Sequence, residues 1–127
     1  MVSVLISSPV YPSEDREKVK EAILNIFPGA SLETTNDGFK GEANTDRFYQ
    51  LIRKQKILDS TRSTMLKGVR GNKIVLHLNK QVAVVGKVSF TEPKTILGTI
   101  TVTMECDDPE ETIDHIAPRT VDGEEVK

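Results

Sequence analysis

The sequence predicts an α+β domain in which an antiparallel sheet of four to six strands carries its helices on one face. Three observations predict it. The run Thr99, Ile100, Thr101, Val102, Thr103, Met104, Glu105 alternates polar and apolar residues, as an antiparallel strand wet on one side requires. Val2, Val4 and Ile6 repeat that period near the start of the chain. Between such runs lie stretches whose apolar residues recur at three and four, so helices and strands share a core. At 127 residues the chain fits one domain, able to bury roughly two-thirds of its unfolded surface.

The opening strand is stopped by Pro9 and Pro12. Ser13 is the expected N-cap of a helix with Glu14, Asp15 and Glu17 in its first turn. Val19, Ala22, Ile23, Ile26 and Phe27 form its apolar stripe, and Phe27, Pro28 and Gly29 end it. Residues 30–33 and 39–42 read as a hairpin around Asn36, Asp37 and Gly38. Asn44 or Thr45 caps a second helix with Phe48, Leu51 and Ile52 inward. Its register breaks near Leu58, and Asp59 or Ser60 starts another helical piece with apolar Met65 and Leu66, closed by Gly68 as a left-handed stop. Ile74, Leu76 and Leu78 mark a strand. Val82, Val84, Val88 and Phe90 mark a further one, bent at Gly86. Asp108 and Pro109 open a short helix through Ile113 and Ile116. Residues 1–118 form the expected domain and 119–127 an acidic C-terminal tail.

Charge is sorted by region. Residues 1–44 carry four basic and seven acidic side chains, residues 45–94 eleven and three, and residues 95–127 two and nine. The total of −2 therefore hides segments of −3, +8 and −7. Such a middle attracts a polyanion, an acidic partner or the acidic third of its own chain. From Asp46 to Lys73, eight basic residues accompany two acids. Those predicted to meet phosphate are Arg53, Lys54, Lys56, Arg62, Arg70 and Lys73, with Arg62 alternatively pairing Glu105 or Asp114.

Catalytic constellations are thin. Cys106, His77 and His115 are the only thiol and imidazoles, and no local spacing gives a nucleophile with its base or a zinc set. The acids from Glu105 to Glu111 lack the calcium-loop pattern and its glycine. No enzyme, cofactor, metal or small-molecule substrate is predicted. Gly68, Val69, Arg70, Gly71 matches the GXXG loop of KH domains, but it leaves a helix and enters a strand where that loop joins two helices. One unpaired cysteine, no apolar run near bilayer length and no signal-type opening segment predict a cytoplasmic protein without a membrane span.

The wet sheet face lacks aromatics for base stacking, since Phe27 and Phe48 fit helix cores and Phe90 the apolar side of its strand. Val75 and Val85 are expected to be exposed together on that face, which suits contact with a second copy.

Leu78, Asn79, Lys80, Gln81, Val82, Ala83, then Val85 to Phe90, then Leu97 to Ile100 resemble a family of small archaeal uncharacterised proteins carrying an RNA-binding label. The likeness extends to Pro9 and Pro12, to Asn25 through Pro28, to Leu58 through Arg62, and to Ile113 through Pro118 with Thr120, Asp122 and Gly123. It implies the fold of the ribosomal protein that binds 5S RNA, helices against a curved antiparallel sheet, and a homodimer. It supplies no catalytic residue, and the acidic pI of about 5.7 runs against the usual charge of an RNA-binding domain. Two readings lead: an RNA-associated protein acting through its basic middle, and a homodimeric module that binds no RNA because its acidic third offsets that middle.

Overall fold

The computed structural model describes residues 3–92, 98–121 and 124–125. Val2, Leu97, Asp122 and Gly123, named in the sequence reading, lie outside the described residues. The strands are β1 (Ser3–Pro9), β2 (Ser31–Thr34), β3 (Gly38–Ala43), β4 (Val69–Arg70), β5 (Lys73–Leu78), β6 (Ile100–Glu105), β7 (Thr120–Val121) and β8 (Glu124–Glu125). The helices are α1 (Arg16–Ile26), α2 (Asp46–Lys54), α3 (Leu58–Lys67), α4 (Lys80–Ala83) and α5 (Pro109–Ile116). Six strands form one antiparallel sheet in the order β2-β3-β1-β6-β5-β4, and β7 pairs with β8 apart from it.

The two alternating runs meet at the centre of the sheet. Val4 pairs with Met104 and Ile6 with Val102, and β5 adds Ile74 opposite Met104 and Leu76 opposite Val102. These side chains are buried, together with Ile23 and Ile26 of α1, Phe48 and Ile52 of α2, Met65 of α3 and Ile113 of α5. Each such residue taken from water stabilises the fold by about 1.5–3 kcal/mol. Phe27 and Phe48 stack with centroids 6.0 Å apart and join α1 to α2.

Several expectations are corrected. Asp15, not Ser13, caps α1, its carboxylate accepting the Glu17 N–H at 2.9 Å; Ser13 belongs to the turn before it, where the Glu14 N–H reaches the Tyr11 carbonyl. The helix α3 starts at Leu58 with Ile57 at its N-cap, one or two residues earlier than expected, and Leu66 is half exposed. Gly68 closes α3 at φ −88°, so it is no left-handed stop. It is needed for another reason: a Cβ there would sit 2.2 Å from the Val75 carbonyl oxygen, where the chain enters β4 against β5. Gly71, at φ +63°, makes the β4–β5 turn.

The largest correction is the strand expected over residues 82–90. The Asn79 side chain accepts the Val82 N–H and caps the short helix α4, and Gly86 at φ +79° lies in the turn beyond. Asn25 on α1 donates to the Ala83 and Val84 carbonyls at 3.0 Å, so tertiary contact overrides the β-propensity of a valine run. Within this stretch Phe90 forms an isolated bridge to Leu78 at the end of β5. Val85, 70% exposed, therefore lies in a turn beside α1 and does not share a sheet face with Val75.

Candidate nucleic-acid interface

The six predicted basic residues separate into three pairs. Arg53 and Arg62 hold the end of α5. Arg53 Nη1 donates to the Tyr49 carbonyl at 3.1 Å and the Ile116 carbonyl at 3.0 Å, with its guanidinium 3.4 Å from the Tyr49 ring centroid. Arg62 Nη1 donates to Asp114 Oδ1 at 2.7 Å and to the Ala117 carbonyl at 3.2 Å. Two cations thus satisfy carbonyls at a helix C-terminus, where the dipole is negative. The Arg62–Asp114 alternative read from the sequence is the arrangement observed.

Arg70 and Lys73 flank the β4–β5 turn. Arg70 Nη1 donates to the Lys67 and Val69 carbonyls at 2.9 and 2.8 Å, and Lys73 lies 3.5 Å from Glu105, its register partner on β6. The exposed Lys73–Glu105 pair contributes little to stability. Lys54 and Lys56 stand exposed at the end of α2. Beside them, Gln55 Nε2 donates to the Val88 carbonyl at 2.9 Å while its Oε1 accepts the Val88 N–H at 2.7 Å. Sequence reasoning missed this clamp, which brings exposed Lys87, the neighbour of Val88, to the end of α2. A glutamine between two lysines carries no signal of its partner.

A cleft of about 800 Å³ opens between the end of α3 and β5, lined by Lys67, Arg70, His77, Thr91 and Glu92 among others. Burial pushes the His77 imidazole below its ordinary pKa, and the charge of Glu92 acts in the opposite direction. His77 Nδ1 lies 3.2 Å from Thr99 Oγ1 and 3.3 Å from Thr101 Oγ1. Glu92 opposes an anion in this cleft, whereas Lys54 and Lys56 have no carboxylate paired to them among the described residues, so the end of α2 is the better phosphate surface. A smaller cleft lined by Cys106, Asp107, Asp108, Glu111 and His115 is acidic. Among the described residues no three His, Cys, Asp or Glu side chains group to hold a metal ion.

The open sheet face is laid out in rows. Glu42, Leu5, Thr103 and Val75 are successive register partners, as are Lys40, Ser7, Thr101 and His77. No aromatic lies in either row: Phe27, Phe39 and Phe48 are buried, Phe90 packs against the core opposite Leu78, Tyr49 lies under Arg53, and Lys80 Nζ is 5.5 Å from the Tyr11 ring.

The fold is therefore a small α+β domain whose open antiparallel sheet face is largely polar, with four of the six predicted cations exposed, two at the end of α2 and two at the β4–β5 hairpin. A protein-family profile described as RNA binding matches residues 3–106. The chain is 40% identical over 128 residues to the UPF0201 protein of Pyrococcus horikoshii, covering 94% of this chain and 92% of that one. It is 41% identical to the UPF0200/UPF0201 protein of Archaeoglobus fulgidus across 99% of its own length, but spans only 40% of that relative. A crystal structure of a UPF0201 protein superposes with TM-score 0.86 at 38% identity, covering 99% of this chain and all (100%) of that one. That of the Methanococcus jannaschii UPF0201 protein gives 0.85 at 35%, covering 100% of both. The chain belongs to the UPF0201 family, whose profile carries the RNA-binding description.

Proposed function

We propose that the protein is a cytoplasmic, non-enzymatic, RNA-associated protein that meets phosphates through the exposed part of its basic middle: Lys54 and Lys56 at the end of α2, and Arg70 and Lys73 at the β4–β5 turn. Arg53 and Arg62 serve the fold. The observation that carries the reading is the span of the RNA-binding profile, residues 3–106, which takes in the whole +8 segment and leaves every acid of the last third except Glu105 outside. Fluorescence anisotropy against single-stranded and structured RNA over a salt series tests it. The expected result is affinity falling linearly in log salt, and weakened severalfold with a shallower slope in the Lys54→Gln, Lys56→Gln, Arg70→Gln, Lys73→Gln variant. Wild-type protein that binds neither RNA at low salt overturns the reading.

A second reading, a homodimer through the open sheet face, is favoured by one observation. Leu5, 38% exposed, and Val75 flank Thr103 in a row across the three central strands, an apolar strip on an otherwise polar face. It is compatible with RNA association, because Lys54 and Lys56 lie at the end of α2, in the opposite layer.

A further inference from the structure

Among the described residues, Lys56 alone is a non-glycine with positive φ, at +58°. It closes α2 in a Schellman arrangement: the Lys56 N–H donates to the Arg53 carbonyl at 3.1 Å and the Ile57 N–H to the Ile52 carbonyl at 3.0 Å. Glycine or asparagine ordinarily fills that left-handed position, because a Cβ there crowds the following carbonyl. A helix-dipole role does not account for the lysine. Lys54, inside the last turn, already complements the dipole, and glycine at position 56 would relieve the strain without loss of that charge. Nor does an internal partner account for it, since the Lys56 ammonium has no hydrogen bond or ion pair among the described residues. A lysine in a left-handed cap position that glycine would fill without strain points to a use for the side chain.

We infer that Lys54, Lys56 and Lys87 form a phosphate-contact site for an RNA backbone, built around the Gln55 clamp. The inference rests on the RNA reading above and names where the contact is made. Gln55 grips both backbone polar groups of Val88, so the three lysines flanking these two residues sit on adjoining, mutually fixed backbone. All three are exposed, and none of their ammonium groups has a partner among the described residues. Phosphate contact draws on such a set: cations on backbone held in place by the Gln55–Val88 hydrogen bonds, with no carboxylate committed to them.

Thermal melts and anisotropy salt titrations of the full chain with a single-stranded oligoribonucleotide decide it. Lys56→Gly should raise Tm by a few degrees and yet weaken RNA binding severalfold, with the log-affinity versus log-salt slope smaller by about 0.7, one phosphate contact. Lys54→Gln and Lys87→Gln should each remove a similar increment, and Lys18→Gln with Lys20→Gln on α1 should remove none. A Lys56→Gly protein that melts no higher overturns the argument from strain, and one whose salt slope equals wild type overturns the site. Wild-type protein without RNA affinity sinks the RNA reading itself, whereas a salt-dependent wild type with an unaltered variant slope sinks this site alone.

Discussion

Lys80 shows how far a residue's role can stand from its appearance in a sequence. It stands in the Asn79, Lys80, Gln81 block between two polar residues, and its side chain is 6% exposed. Its Nζ donates to the Pro9 carbonyl at 2.6 Å and to Glu14 Oε1 at 3.0 Å, tying α4 to the end of β1 and to the turn before α1. Glu14 is itself 11% exposed, so the pair is desolvated on both sides. Removing one partner strands the other charge. Lys80→Ala should therefore cost about 3–5 kcal/mol in urea unfolding, and Lys80→Met with Glu14→Leu should recover most of it. A loss below 1 kcal/mol for the single variant would show that water reaches the pair. The core residues on α1 were legible beside this, because Val19, Ala22, Ile23, Ile26 and Phe27 follow the helical period and all are buried. The Lys80–Glu14 pair was not, because 66 residues separate its partners and no local pattern links them.

Among the elements, α5 is held from outside. Asp108 caps its start, the carboxylate accepting the Glu111 N–H, and two arginines from α2 and α3 close its end. The cap was readable in Asp108 and Pro109; the arginines were read as phosphate ligands because spacing gives charge without direction. Arg62→Ala should destabilise the protein by about 1–3 kcal/mol through two lost charge-assisted hydrogen bonds, measured by chemical denaturation, while leaving the RNA salt slope of the folded protein unchanged. Unchanged stability with a shallower slope would return Arg62 to the interface. The region after β5 was misread for the converse reason. Val82, Val84 and Val88 have strand propensity and strand spacing, but Asn79 and Asn25 supply the hydrogen bonds that make residues 80–83 a helical turn.

At the scale of the whole molecule, the acidic third neutralises part of the basic middle within one chain, through Arg62 with Asp114 and Lys73 with Glu105. Exposed beside these pairs are a largely polar sheet face with an apolar strip, the cations of the β4–β5 turn and the lysines at the end of α2. If the strip joins two copies, light scattering should give a dimer, and Leu5→Lys with Val75→Lys should split it by placing like charges across the two-fold contact, with the fold intact. A wild-type monomer at micromolar concentration would remove this reading. The sequence by itself determined the α+β class, the central strands β1, β5 and β6 and the buried stripes of α1 and α2, because periodicity is a local consequence of one buried face. Only the tertiary structure decided which cations are spent on carbonyls and which stay free, that Lys80 is buried, and that Gln55 carries Lys87 to the end of α2, because each depends on residues distant in the chain becoming neighbours in space.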